Sequence, residues 1–141
     1  MALSALYQQI IMEHGKNPRN FGKLAGRTIS VRHDNPNCGD RIDLYIAISP
    51  ALGIQDLKFD GYGCAVALAS ASIMTTVVKG LAREECLALL AEFQNLVTSG
   101  KAISTVKEFA DLLAFAGLHA HPMRQQCALL PWQALAKSFE S

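Results

Sequence analysis

The sequence predicts one three-stranded antiparallel sheet covered on one side by helices, and three observations carry that reading. Segments with period-two apolar alternation are gathered between residues 29 and 60. Segments with helical apolar spacing flank them, one before residue 18 and the others after residue 65. The alternating segments are joined by short loops, and each has one apolar face.

In chain order, Leu3, Leu6, Tyr7, Ile10, Ile11 and His14 fall on one face of an amphipathic helix. It stops before Pro18, because the residue ahead of a proline is pushed out of the α region. Residues 16–26 are rich in turn formers and read as a loop. Ile29, Val31 and His33 then alternate with Ser30 and Arg32. Ile42, Leu44, Ile46 and Ile48 alternate with Asp43, Tyr45 and Ala47, the clearest strand in the chain. Leu57 and Phe59 alternate with Lys58 and Asp60 after a turn over Pro50–Gly53. The run from Ala65 begins with alternation, but its length, its alanines and Gly80 at a C′ position favour a buried helix. A further helix places Cys86, Leu89, Leu90, Phe93 and Val97 on one face. Another starts with Thr105 and Glu108 spaced as a capping box, then shows Phe109, Leu112, Leu113 and Ala116 before Gly117. The last, from about Gln125, carries Leu129, Trp132, Leu135, Ala136 and Phe139. No repeat, low-complexity tract or long linker interrupts the chain, so residues 1–141 read as one domain.

The composition narrows the function classes. With 141 residues, 50% hydrophobic and 18% charged, the chain suits a packed core that buries roughly 70% of the unfolded surface. Thirteen Lys and Arg against 12 Asp and Glu give a net charge of +1 without a run of like charges, so nucleic acid is not an expected partner. The longest uncharged central stretch, Gly61–Val78, is too short and too polar for a spanning helix, which needs about 20 apolar residues. The N-terminal residues have neither a basic leader nor a continuous apolar run, and do not read as a signal peptide. A cytoplasmic location without a membrane partner is the expectation. There the four cysteines should be reduced thiols, metal ligands or reactive groups rather than disulfides.

Three of those cysteines lie at junctions. Cys38 sits in Asn-Pro-Asn-Cys-Gly-Asp between the first two strands, Cys64 in Gly-Tyr-Gly-Cys just before a helix, and Cys127 near the start of the last helix. Backbone N–H groups are free at helix starts and stabilise a thiolate there. Gly39, Gly61 and Gly63 permit tight turns and close backbone approach. Asp40 is close enough to Cys38 to point at the same centre. Three thiolates and a carboxylate suffice for a tetrahedral Zn²⁺ site or for an iron–sulfur cluster, although their wide separation is no zinc-finger pattern. Cys86, inside a helix on its apolar stripe, reads as a small hydrophobe. His33 reads as a rim or core histidine, and His14 as a cap favourable to the helix dipole. His119 and His121 flank Ala120 without a ligand-like partner, and Arg124, three before Cys127, reads either as a contact of Asp40 or a thiolate or as a solvated loop arginine. Phosphate-loop, nucleophile-elbow, paired-histidine and zinc-deaminase motifs are missing from the sequence.

The motifs are more specific than their spacings. Leu-Tyr-x-x-Ile-Ile-Met-x-His is followed by Lys-Asn-Pro-Arg-Asn, Asn-Pro-x-Cys-Gly-Asp, Gly-x-Gly-Cys-Ala with Ala-Ser-Ala-Ser, and Pro-x-Arg-x-x-Cys-Ala-Leu. From Leu6 to Phe139 this resembles the U-type iron–sulfur cluster assembly proteins. The helical stretch between Cys86 and Gly117, and Gln126 where the IscU branch has histidine, point to the SufU branch. The resemblance implies a compact α+β fold of the SufE/NifU-like kind, a three-stranded antiparallel sheet with about five helices. It also implies that Cys38, Asp40, Cys64 and Cys127 bind Zn²⁺. Cys38 is then the acceptor of persulfide sulfur from a PLP-dependent, SufS-type cysteine desulfurase, with Arg124 in support. The chain would act with that desulfurase rather than as a stand-alone enzyme, and pass sulfur to a downstream scaffold or apoprotein. Gln126 replaces a lysine common in the SufU branch, and Gly15 replaces a common tyrosine; neither removes a ligand. Two other readings use the same residues. One is a scaffold on which a [2Fe–2S] cluster is assembled from iron and handed on, held by Cys38, Cys64 and Cys127. The other is a domain whose zinc is structural.

Overall fold

The structure is a computed structural model and describes residues 2–36, 39–49, 53–101 and 110–140. Its elements are α1 (Ala2–Lys16), β1 (Ile29–Asn35), β2 (Asp40–Ser49), β3 (Gly53–Tyr62), α2 (Ala65–Val78), α3 (Arg83–Ser99), a 3-10 helix (Ala110–Ala120) and α4 (Pro122–Ser138). The strands form one antiparallel sheet in the order β1-β2-β3, and the fold is the expected α+β class.

Alternation decides which face of the sheet is covered. In β2, Ile42, Leu44 and Ile46 are fully buried, whereas Asp43, Tyr45 and Ala47 are half-buried on the other face. α2 packs over β3, and α4 packs over β1 and β2. The pairing steps from Ala47↔Asp56 to Ile48↔Ile54, so Gln55 is an extra residue. This bulge reverses the inward phase and buries both Ile54 and Leu57, three positions apart. It also explains why β3 begins at Gly53, earlier than simple alternation indicates; residues 50–52 of the expected turn lie outside the described residues. The outer edge of β3 is covered by the loop after α1. Gly22 N–H donates to the Phe59 carbonyl at 2.7 Å, and Phe59 N–H donates to the Asn20 carbonyl at 3.0 Å.

α2 is buried on almost every side, as its composition predicts, and small Ala67, Ala69 and Ala71 let its neighbours approach closely. Gly80 adopts φ +90° just beyond α2 and sends its N–H to the Ile54 carbonyl at 2.8 Å, tying the helix end to β3. α3 buries Cys86, Leu89, Phe93, Leu96 and Val97. Its start is held by Glu85, whose carboxylate accepts the Ala82 N–H at 2.9 Å. In the core, Phe93 stacks on Trp132 at 4.8 Å and meets Phe115 edge-on at 5.4 Å.

Three expectations need correction. Ala110–Ala120 is a 3-10 helix running past Gly117, not an α-helix ending there; Thr105, Glu108 and Phe109 lie outside the described residues. Leu112, Phe115 and Leu118 are all buried, and a spacing of three is the period that a 3-10 helix places on one face. α4 begins at Pro122, before Gln125, because proline is preorganised for the first helical position. α4 also continues through Pro131, which has no N–H to offer the Cys127 carbonyl; burial of Leu130, Trp132 and Leu135 around it holds the helix together. Leu6, placed on the inner face of α1 by its spacing, is 51% exposed, and α1 packs through Tyr7, Ile10 and Ile11 instead.

Candidate metal centre

Asp40 opens β2, directly after a hairpin loop whose Gly39 N–H returns to the Asn35 carbonyl at 2.9 Å. Its carboxylate is buried, so each oxygen needs a partner. Oδ1 accepts the Cys64 backbone N–H at 2.9 Å, and the Cys64 Sγ lies 3.9 Å from Oδ2. Cys64 is the N-cap of α2 and makes no side-chain capping bond, which leaves its sulfur available to the centre. Glycine at 63 is a steric requirement, since a Cβ there would stand 2.5 Å from Asp40 Oδ1. At Gly61, φ is +135° and a Cβ would strike the Arg41 backbone.

Cys127 comes from α4 and is 4% exposed. Asp40, Cys64 and Cys127 thus arrive from a strand start, the N-cap of α2 and the second turn of α4, and their ligand atoms lie within 4.8 Å of one another. Around a tetrahedral zinc, with Zn–S about 2.3 Å and Zn–O about 2.0–2.2 Å, ligand atoms stand roughly 3.5–3.8 Å apart. Modest side-chain rotations close that difference. Two thiols and a carboxylate are a donor set that zinc accepts, and thiolates also suit iron–sulfur clusters. Cys38, the fourth expected donor, lies outside the described residues.

The remaining candidates divide clearly. Arg124 is exposed and lines a cleft of about 280 Å³ with Cys64, Met123 and Cys127, but among the described residues it makes no bond to Asp40. His33 is a rim histidine, 3.2 Å from Gln133 Oε1 and 3.4 Å from Lys137 Nζ on α4. Exposed His119 and His121 are not among the clustered donors; His119 Nδ1 lies 3.1 Å from the Ala116 carbonyl. Cys86 is fully buried, and burial, with Glu85 adding repulsion, pushes its thiol up to about 12.

His14 is no solvated cap. It is buried, with Nδ1 2.8 Å from Ser72 Oγ on α2 and Nε2 3.5 Å from Asp111 on the 3-10 helix. Burial, then the Arg19 charge, lowers its pKa against the opposing pull of Asp111. Gly15 lets α1 approach the residue after Cys64, because a Cβ there would lie 3.0 Å from the Ala65 carbonyl oxygen. The sequence assigns no role to two supporting residues, although Ser70 lies in its Ala-Ser-Ala-Ser motif. Ser70 Oγ–H donates to the Ala128 carbonyl at 2.5 Å and accepts Trp132 Nε1–H at 3.1 Å, joining the Cys64 and Cys127 helices. Gln125 Nε2 donates to the Leu118 and His119 carbonyls at 2.8 and 3.0 Å.

A profile described as the NifU-like N terminal domain matches residues 6–128. This chain belongs to that family. The resemblance drawn from the motifs therefore stands. A NifU-like relative described as the zinc-dependent sulfurtransferase SufU of Bacillus subtilis (strain 168) is 41% identical over 135 residues, covering 96% of this chain and 90% of its own. The iron-sulfur cluster assembly scaffold protein IscU of Streptococcus pyogenes serotype M1 is 36% identical over 138 residues, covering 98% and 85%. Between these two, the SufU protein is the more similar. The crystal structure of FiSufU from thermophilic Fervidobacterium islandicum AW-1 superposes with a TM-score of 0.84 at 28% identity, covering 95% of this chain and 96% of that one.

Proposed function

We propose that this NifU-like chain is a zinc-dependent acceptor and carrier of persulfide sulfur in iron–sulfur cluster assembly. The convergence of Asp40, Cys64 and Cys127 within 4.8 Å carries the reading, and similarity to a protein named a zinc-dependent sulfurtransferase supports it. Cys38 completes the ligand set; two residues of chain span at most about 7 Å, which keeps it near Asp40. The sulfur donor is a PLP-dependent cysteine desulfurase of SufS type, and the receiver is a downstream scaffold or apoprotein.

Bound zinc keeps thiols deprotonated and ordered while damping their nucleophilicity. The residues of the chain do the rest. Asp40 is fixed by the Cys64 N–H, and both cysteine-bearing helices are tied through Ser70, so Asp40, Cys64 and Cys127 form a preorganised donor set. The thiolate of Cys38 attacks the terminal sulfur of the donor persulfide. A new S–S bond forms on Cys38, the donor S–S bond breaks, and the donor cysteine leaves as a thiolate, so no external oxidant or reductant is needed. Arg124, exposed at the mouth of the cleft, supplies positive charge beside the reacting thiolates.

A second reading, a scaffold for a [2Fe–2S] cluster on the same cysteines, is favoured by the similarity to IscU. Elemental analysis of anaerobically purified protein, with Cys38→Ala assayed for stimulation of a cognate desulfurase, separates the two. About one zinc per chain, and stimulation lost in the variant, is the expected result. Iron and acid-labile sulfide in equal amounts with little zinc would establish the scaffold. Equal destabilisation by Cys38→Ala, Cys64→Ala and Cys127→Ala, with sulfur acceptance intact, would leave the metal merely structural.

A further inference from the structure

We infer that Gln125 is a positioning residue for the metal centre, an amide clamp that sets where α4 presents Cys127. The start of α4 lacks the usual anchor. His121 at the N-cap makes no side-chain capping bond, and Pro122 follows it. The first turn is held instead from within. Both hydrogens of the Gln125 amide are used, one on the Leu118 carbonyl at 2.8 Å and one on the His119 carbonyl at 3.0 Å. Two carbonyl acceptors fix the amide orientation, since the Gln125 oxygen turned toward them would be repelled. The Leu118 carbonyl also receives the His121 N–H at 2.8 Å, so the reversal between the 3-10 helix and α4 is closed by backbone and side chain together.

The anchor itself is firm. Leu112, Phe115 and Leu118 bury the 3-10 helix in the core, so the clamp refers the first turn of α4 to a fixed element. That turn carries Arg124 and leads directly into Cys127. Loosening it moves the Cys127 sulfur relative to Asp40 and Cys64, which stand on separate elements. Outer-shell hydrogen bonds that orient ligands affect metal affinity about 10–100-fold. In the Pro-x-Arg-x-x-Cys motif position 125 is open, so the clamp is a property of this chain rather than of the motif. The inference rests on the metal-site part of the proposed function, and its test carries one arm that does not.

Gln125→Met keeps length and helix propensity but removes both donors, whereas Gln125→Lys restores a donor on a long stem. In metal-free full-length protein at high salt, which screens the added charge, alkylation of each cysteine by iodoacetamide is followed by peptide mapping. Cys127 should react about tenfold faster in Gln125→Met and near the wild-type rate in Gln125→Lys, with Cys86 unreactive throughout as the control for global unfolding. In the second arm, chelator competition should show zinc bound about tenfold more weakly by Gln125→Met alone. The visible spectrum of the Co²⁺-substituted protein should change in that variant and return in Gln125→Lys. Wild-type behaviour of Gln125→Met in the alkylation arm, or Gln125→Lys behaving as Met does, overturns the clamp. Failure of the wild-type protein to bind zinc or Co²⁺ would overturn the proposed metal function, while the alkylation arm still decides the clamp.

Discussion

Gly63 stands where any side chain collides with the Asp40 carboxylate, so a single methyl tests the centre. Gly63→Ala should push Asp40 off the Cys64 N–H and weaken zinc binding about 10–100-fold with the fold retained, measured by chelator competition and circular dichroism. Cys86 is the opposite kind of cysteine. With its thiol pushed up to about 12, it should resist iodoacetamide at pH 8 in the folded protein and react once the chain is unfolded. Cys86→Ser should cost about 1–3 kcal/mol in urea unfolding, because it places a hydroxyl on a fully buried apolar face. His14 couples folding to pH. Its folded pKa lies below the ordinary value near 6.5, so the unfolded chain binds the proton more readily. Stability is therefore full above about pH 6.5 and declines as the pH falls below it. Urea midpoints at pH 7.5 and 5.5 should differ more in the wild type than in His14→Gln.

At the scale of elements, the polar residues of α2 act as joints. Ser70 reaches α4, Ser72 receives the Arg19 backbone N–H at 2.8 Å, and Thr75 accepts from Asn20 at 2.9 Å. Ser70→Ala should cost about 1–3 kcal/mol in urea unfolding, since it leaves the buried Trp132 N–H without that acceptor. Local pattern made several elements readable: the period-two run of β2, the amphipathic spacing of α3, and Gly80 after α2. It failed where tertiary packing overrides it. The bulge at Gln55, set by pairing with β2, hides the phase of β3. The three-residue recurrence of Leu112, Phe115 and Leu118 was visible in the sequence, but Leu113 and Ala116 mimic an α-helical stripe over the same residues.

For the whole molecule, the centre exists because the sheet and two helices bring distant positions to one end. The identities of Asp40, Cys64 and Cys127 were legible as chemistry at loop junctions, whereas their convergence follows from the packing of α2 and α4 on the sheet. His14 was legible on the inner face of α1, but its partners were not, and Gln125 had no local signature, because those partners lie on other elements. Metal linkage should be global as well. Zinc at about a hundred times its Kd should add about 2.7 kcal/mol to stability and raise Tm, an effect removed by a chelator and read in thermal scans. The indole bridging α2 and α4 adds a practical consequence. The chain has one tryptophan, and Trp132 rides on the helix of Cys127 while its N–H grips the helix of Cys64. Tryptophan emission is thus an unlabelled optical record of those two helices, expected to follow their register as metal is added or removed.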